Sequence, residues 1–176
     1  MKKFSIIILT FLMFSCSNES TDATDSNNSS SGTISWSCKV NGVQYQWSGS
    51  YPYSTTSGQS SYLGEPASTP TVSLASPIIS SGNRQVMLNF SFQNENLGTR
   101  IINGSVAGNT ASLVLNQQVY STYPSMAQIN LNISQMASAV NGITKGTFSG
   151  TMVGGGTGTI QTINITEGSF EAIRIQ

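Results

Sequence analysis

Residues 33 to 47 read TISWSCKVNGVQYQW, and this stretch decides the fold class. Every second residue from Ile34 to Val40 is apolar, which is the period-2 pattern of a strand with one buried face. Asn41-Gly42 follows, and this pair favours a type I′ turn because both of its positions need a positive φ. The alternation resumes from Val43 to Trp47, so the sequence predicts an antiparallel hairpin here.

The rest of the chain repeats this pattern of short strands and turns. Residues 49 to 70 are rich in Ser, Thr, Gly and Pro, which predicts a long loop. Residues 134 to 140 are the one stretch where a helical turn would fit. The strands predicted beyond the first hairpin are 71–75, 86–92, 100–103, 111–115, 118–123, 129–133, 146–153, 159–166 and 169–175, with a tight turn at Glu167-Gly168 between the last two.

This organisation predicts an all-β fold in a single domain, residues 33 to 176. Many short strands, closely spaced turns and no helical period indicate an antiparallel β-sandwich or a small β-barrel. Alternation, rather than unbroken apolar runs, fits sheets with one solvated face. A lipocalin-like barrel is the alternative, and a wide apolar interior in such a barrel would indicate lipid carriage.

The N-terminus has the layout of a secretory signal. A basic start, MKK, precedes an apolar run from Phe4 to Phe14, and Ser15-Cys16 closes it. The run is roughly half of the about 20 apolar residues that a spanning helix needs. Residues 13 to 15 are poor for ordinary signal cleavage, so the pattern predicts a lipoprotein signal peptide over residues 1–15 and lipidation of Cys16. A cleaved, soluble secreted form is the alternative.

A polar tether is predicted between the anchor and the domain. Residues 16–32 begin with Cys16 and continue SNESTDATDSNNSSSG, in which Ala23 is the one apolar side chain after the cysteine. Such a segment cannot bury enough surface to offset its ordering entropy, so it is expected to be disordered. As a flexible linker it would span roughly 20–24 Å. We expect an outer-membrane lipoprotein held by its lipid; whether the domain faces the periplasm or the cell surface stays open.

Composition excludes several classes of function. Residues 33 to 176 hold five basic and four acidic residues without a cluster of either sign, which argues against a nucleic-acid partner. The chain has no histidine, and its aspartates lie in the tether, so His-dependent catalysis, His-ligated zinc and D-x-D calcium loops are excluded. We expect no metal and no cofactor. Cys38 alternates in phase with apolar neighbours, which favours a buried, inert thiol over a nucleophile.

The carboxylates give a weak prediction of catalysis. Two acids held about 5 to 9.5 Å apart can hydrolyse a glycosidic bond, and Glu167 and Glu171 are the closest pair in sequence. Acidic residues beside a turn are ordinarily just solvated. We therefore predict no catalytic residue and keep a glutamate-dependent hydrolase as a distant alternative.

Aromatic residues offer a better candidate site. Tyr and Trp combine an apolar ring with a hydrogen-bonding tip, and such rings stack on sugars or partner side chains. Trp36 and Trp47 have apolar neighbours in phase and are predicted to lie in the core. Tyr51, Tyr53 and Tyr62 fall in the polar stretch from 49 to 70, which makes them the candidate ligand-binding residues.

Both ends of the domain carry motifs seen in a known group of proteins. KGTFSGTM at 145–152 and INITEGSFEA at 163–172 resemble the closing strands of a domain of unknown function found in small Bacteroidota lipoproteins. Those domains also tend to open with a V-N-G hairpin followed by aromatic residues, as residues 40–47 do here. The resemblance covers about a third of the domain and implies an all-β envelope lipoprotein; it implies no catalytic residue.

Together these observations predict a lipid-anchored envelope protein that binds rather than catalyses. Its partner would be a glycan or an envelope protein. The alternative is a carbohydrate- or small-ligand-binding module that uses the aromatic loop.

Overall fold

The structure, a computed structural model, describes residues 33–50, 61–64, 71–106, 108–122, 126–154 and 159–174. The predicted signal peptide, Cys16, the tether, Tyr51 and Tyr53 lie outside these residues. The described residues contain twelve β-strands and no helix, so the predicted all-β class is confirmed and the helical turn at 134–140 is not formed. The strands are β1 Thr33–Val40, β2 Val43–Ser50, β3 Ser61–Gly64, β4 Thr71–Ala75, β5 Ile79–Ser81, β6 Arg84–Gln93, β7 Gly98–Ile102, β8 Thr110–Leu115, β9 Gln118–Ser121, β10 Ile129–Gln135, β11 Ile143–Gly154 and β12 Gln161–Arg174.

The N-terminal hairpin forms as its sequence predicts. Trp36 pairs with Trp47 in the β1–β2 ladder, and Asn41 and Gly42 take φ angles of 48° and 82° at the turn. The amide of Asn41 donates to the carbonyl of Asn164, and the amide of Asn164 donates to the Asn41 side chain, both at 2.8 Å. The turn residue therefore also fixes the hairpin to β12.

The strands form one curled sheet with two facing layers. One layer runs β2-β1-β12-β11-β10-β7, and the other runs β3-β4-β6-β8-β9 with β5 paired to β6. The end of β12, Ile173 and Arg174, pairs in parallel with β3, and the end of β11, Val153 and Gly154, pairs antiparallel with β9. The pairing path thus returns on itself. Because β4 pairs with β6 and β7 pairs with β10, it departs from the chain-order pairing of a lipocalin-like barrel.

The last predicted turn is wrong. Residues 161 to 174 form a single strand, and Glu167, with φ 52°, lies in a bulge inside it. Between the pairs Phe148↔Gly168 and Gly150↔Ile165, three residue steps of β12 lie opposite two of β11. The Glu-Gly pair does mark a positive φ, but the backbone uses it for a bulge rather than for a hairpin.

The bulge keeps the apolar side chains of both halves of β12 on the buried face of the sheet. Ile163 and Ile165 are buried before it, whereas Gly168, Phe170 and Ala172 are buried after it, so the buried positions change from odd to even numbers. Side chains alternate with a period of two, so without the extra residue the second half of β12 would turn its apolar side chains to solvent.

Part of the predicted loop also contains a strand. Ser61–Gly64 forms β3, which pairs with β4 and with the end of β12. Its partners are far away in sequence, so the local composition of Ser, Thr, Gly and Pro gave no sign of it. β4 occupies the predicted residues, Thr71–Ala75.

Aromatic rings fill the centre between the two layers. Trp36 stacks on Phe90 and Phe170 with centroid distances of 6.2 and 5.1 Å. Phe148 packs against Phe90 at 4.9 Å with a tilt of 57°. β1, β11 and β12 therefore meet β6 across a solid core, as in a sandwich.

Candidate binding face

Two of the three tyrosines of the predicted ligand-binding site lie outside the described residues. These are Tyr51 and Tyr53, and Cys16 lies outside them as well. The backbone of Tyr62 lies in β3, where it pairs with Leu74 of β4 and Arg174 of β12.

The predicted core residues take their expected places. Trp36 and Cys38 are fully buried, and Trp47 is partly buried against the core. Desolvation raises the pKa of the Cys38 thiol from 9.0 to about 12, so this group stays protonated near neutral pH. The prediction of a buried, inert thiol is confirmed.

The outward-facing residues of the first layer form a feature that sequence reasoning missed. At one level of the sheet, the strand registers place six polar residues side by side, one from each of β2, β1, β12, β11, β10 and β7. All six are exposed or half-buried and uncharged. We call this set the polar row: Gln46, Ser37, Ser169, Thr147, Asn132 and Thr99.

Two shallow depressions follow the polar row. The larger, of about 540 Å³, is lined by Ser169, Thr147, Asn132 and Thr99, together with residues of the next level. The smaller, of about 380 Å³, is lined by residues of β1 and β2, including Ser37 and Gln46. Ser37, which lines the smaller depression, and Ser169, which lines the larger one, hydrogen-bond through their hydroxyls at 2.9 Å.

Longer charged side chains flank the row at β1, β11 and β12. On one side Lys39 and Glu167 form an ion pair at 2.6 Å, and on the other side Lys145 and Glu171 form one at 2.7 Å. Each pair joins neighbouring strands and sums to zero charge. Elsewhere the neighbouring levels include short polar side chains, such as Ser48 and Asn130. We call the polar row together with its two depressions the trough.

Two hydrogen bonds join side chains within the row. Ser37 and Ser169 bond to each other, and Thr99 donates to the side-chain oxygen of Asn132 at 3.3 Å. Thr147, between these two pairs, makes no side-chain hydrogen bond within the described part of the chain. Its hydroxyl is able to donate one bond and accept others.

The described glutamates lie in ion pairs. Glu167 and Glu171 each contact a lysine, so each charge is compensated on the sheet surface. Glu95, in the loop between β6 and β7, contacts Arg174 at 3.2 Å. Glu65 lies outside the described residues.

Arg100 contacts Phe92 and the loop between β6 and β7. Its guanidinium lies 4.2 Å from the centroid of Phe92 and donates to the carbonyls of Asn94 and Asn96. Desolvation lowers the pKa of this guanidinium below its ordinary value, although the group remains a cation at neutral pH. These contacts hold the loop between β6 and β7 against the sheet.

The second layer presents a different outer surface. Met87, Val114 and Val119 are aligned by register, and Ile78 lies beside Met87 in a shallow depression of about 140 Å³. This apolar patch is small, and the neighbouring levels of the same face are polar, with Asn89, Ser112 and Ser121 in register.

Two properties of the described residues bear on the site. No group of three or more His, Cys, Asp or Glu side chains is placed to hold a metal ion there. Nor does that part of the chain contain a helix with the length and apolarity to span a bilayer.

No protein-family model, curated protein or solved structure matches this chain.

Proposed function

We propose that this chain is a lipid-anchored lipoprotein of the outer membrane whose β-domain is a non-catalytic binding module. The observation that carries the binding role is the trough along the polar row, to which six strands each contribute one residue and which includes two depressions. A rigid sheet holds these side chains in fixed register, and preorganised groups lose little entropy when they bind.

The membrane part of the proposal rests on the N-terminal sequence. A basic start, a short apolar run and Cys16 favour lipidation, and the motifs at 145–152 and 163–172 resemble those of small Bacteroidota lipoproteins. Two or more acyl chains hold a protein stably in a bilayer. The domain then needs no membrane-binding surface of its own.

Metabolic labelling tests the anchor. Cells expressing the full chain are fed an alkynyl fatty acid, and the label is expected on the wild type and not on Cys16→Ser. Protease treatment of intact cells then distinguishes a surface-facing domain from a periplasmic one. A wild-type chain that carries no label and is released into the medium would contradict the anchor.

The contacts of the site support binding rather than catalysis. Both nearby carboxylates are compensated by lysines, and the thiol of Cys38 is buried with its pKa raised to about 12. A glutamate-dependent hydrolase would need one acid held protonated and one carboxylate ready to attack or activate water. The aromatic rings that fill the centre of the described core argue against lipid carriage.

A binding assay tests the role of the domain. The chain without residues 1–16 keeps the predicted tether and every described residue, and it is immobilised through its N-terminus. We expect it to retain a glycan from an array or to crosslink to an envelope protein, and to leave any retained glycan uncleaved in mass spectra. Cleaved products would favour the hydrolase.

A carbohydrate module that uses Tyr51, Tyr53 and Tyr62 is the second candidate. The occurrence of these tyrosines in a polar segment of the sequence favours it, because aromatic rings stack on sugars. The triple variant Tyr51→Ala, Tyr53→Ala, Tyr62→Ala tests it on the same array. Loss of glycan binding in a folded triple variant would place the site in this segment.

A further inference from the structure

We infer that the trough on the outer face of the first layer binds a neutral glycan that lies across the strands along the polar row. This inference rests on the proposed binding function and names its site and ligand class. The site is the row from Gln46 through Thr147 to Thr99, and the ligand is recognised by hydroxyl and amide hydrogen bonds.

The chemistry of the row selects this class of ligand. Protein interfaces depend on apolar and aromatic anchors buried at their centre, and the row contains no apolar side chain. Nucleic acids need uncompensated cations, whereas Lys39 and Lys145 are each paired with a glutamate. Lipid surfaces need apolar or basic groups, which the row also lacks. A neutral chain of hydroxyl groups matches side chains that both donate and accept.

The dimensions of the row fit an extended chain. Neighbouring strands lie about 4.8 Å apart, so six strands place their side chains along about 24 Å. One protein hydrogen-bonding group per strand therefore repeats at nearly the rise of one pyranose unit in an extended glycan. The larger depression spans β12, β11, β10 and β7, and the smaller one spans β1 and β2.

Thr147 lies where the ligand would be held most closely. It belongs to the central strand β11, it is exposed, and its hydroxyl has no partner among the described side chains. A sugar hydroxyl would bond to it without breaking the Ser37–Ser169 or Thr99–Asn132 bonds. The flanking pairs, Lys39–Glu167 and Lys145–Glu171, would limit the ligand to a single chain.

Two substitutions at Thr147 test the inference. Thr147→Val keeps the shape and the strand preference but removes the hydroxyl, so we expect about a fivefold loss of affinity. Thr147→Arg places a long charged side chain in the trough, and we expect no measurable binding. Thr110 is an exposed threonine on β8, in the other layer, and pairs with Ser91. Thr110→Val and Thr110→Arg are therefore matched controls, which should bind as the wild type does.

The experiment uses the chain without residues 1–16 on an array of neutral gluco-, manno- and xylo-oligosaccharides of increasing length, with sulfated glycans printed beside them. Circular dichroism and urea unfolding confirm that each variant is folded. Affinities are then measured by titration with the best neutral oligosaccharide at two salt concentrations. Because the contacts are neutral, affinity should hold steady as salt rises.

The outcomes separate this inference from the proposed function. Loss in both Thr147 variants and in neither Thr110 variant supports the trough. Binding that survives Thr147→Arg overturns it while leaving a binding module whose site lies elsewhere. Binding restricted to sulfated glycans, or no glycan binding at all, also overturns it. The crosslinking arm with envelope proteins then decides the proposed function by itself.

Discussion

Replacing Phe148 by alanine tests whether the aromatic core holds the two layers together. The Phe148 side chain is 3% exposed, and its ring lies 4.9 Å from that of Phe90, 6.2 Å from that of Trp36 and 6.4 Å from that of Phe170. A Cβ added at Gly168 would lie 2.5 Å from the same ring, which shows how closely β12 packs on it. Truncation would therefore open a cavity that the surrounding backbone cannot easily fill.

The expected loss of stability follows from these contacts. Buried Phe→Ala changes cost about 3–5 kcal/mol. This cost already includes contacts between rings, and Phe148 has three ring neighbours, so we expect a loss at the upper end of the range, about 4–5 kcal/mol. The whole domain is expected to have about 5–15 kcal/mol of stability, so the variant would be close to unfolding.

Urea unfolding at 25 °C measures this loss. Thr147→Ala is the matched control, because Thr147 is the neighbouring exposed residue of β11, and it should change stability by about 0.5 kcal/mol at most. Phe148→Leu keeps part of the volume and should cost about 1–2 kcal/mol, which keeps the test usable if Phe148→Ala fails to fold. A loss below about 1.5 kcal/mol for Phe148→Ala, at an unchanged m-value, would refute the reasoning.

Three further predictions concern single residues. The first concerns Cys38, whose thiol proton the folded chain keeps and the unfolded chain releases above pH 9.0. Its contribution to the free energy of unfolding is therefore complete below pH 9.0 and is lost as the pH rises toward about 12. Cys38→Ala should remove this part of the pH dependence in urea titrations, and an equal pH dependence of stability in both chains would contradict the prediction. Gly168→Ala should lower the free energy of unfolding by more than about 2 kcal/mol, because the new Cβ would overlap the backbone and ring of Phe148. The control Ser169→Ala should leave stability nearly unchanged. A Gly168→Ala chain as stable as the wild type would show that β12 shifts easily. The side chains of Lys39 and Glu167 are 35% and 64% exposed, so a double-mutant cycle should give a coupling energy below about 1 kcal/mol. This coupling energy should decrease as salt is added. A coupling energy that does not change with salt would argue against a solvent-screened surface pair.

The N-terminal hairpin shows what local sequence predicts well. Its strands, its Asn41-Gly42 turn and the burial of Trp36 and Cys38 all follow from alternation and from the φ preference of the turn residues. The turn predicted at Glu167-Gly168 was wrong for a related reason. A positive φ is a local property, whereas the choice between a hairpin and a bulge depends on whether β1 and β11 continue beside β12.

The polar row shows what local sequence cannot predict. Each of its residues, taken alone, resembles any solvated position on the outer face of a strand. The sequence indicates the row only in that the outward-facing strand positions carry Ser, Thr and Asn more often than charged residues. Ser37 and Ser169 are 132 residues apart, and their contact depends on the register between β1 and β12.

The sequence by itself determined the all-β class, the β1–β2 hairpin, the buried thiol and the sparse charge of the domain. These depend on side-chain periodicity, turn preferences and composition, which act over a few residues at a time. Only the tertiary structure decided the strand order, the bulge in β12 and the trough along the polar row. These depend on pairings between distant strands, where a shift of one residue exchanges the buried face for the exposed one.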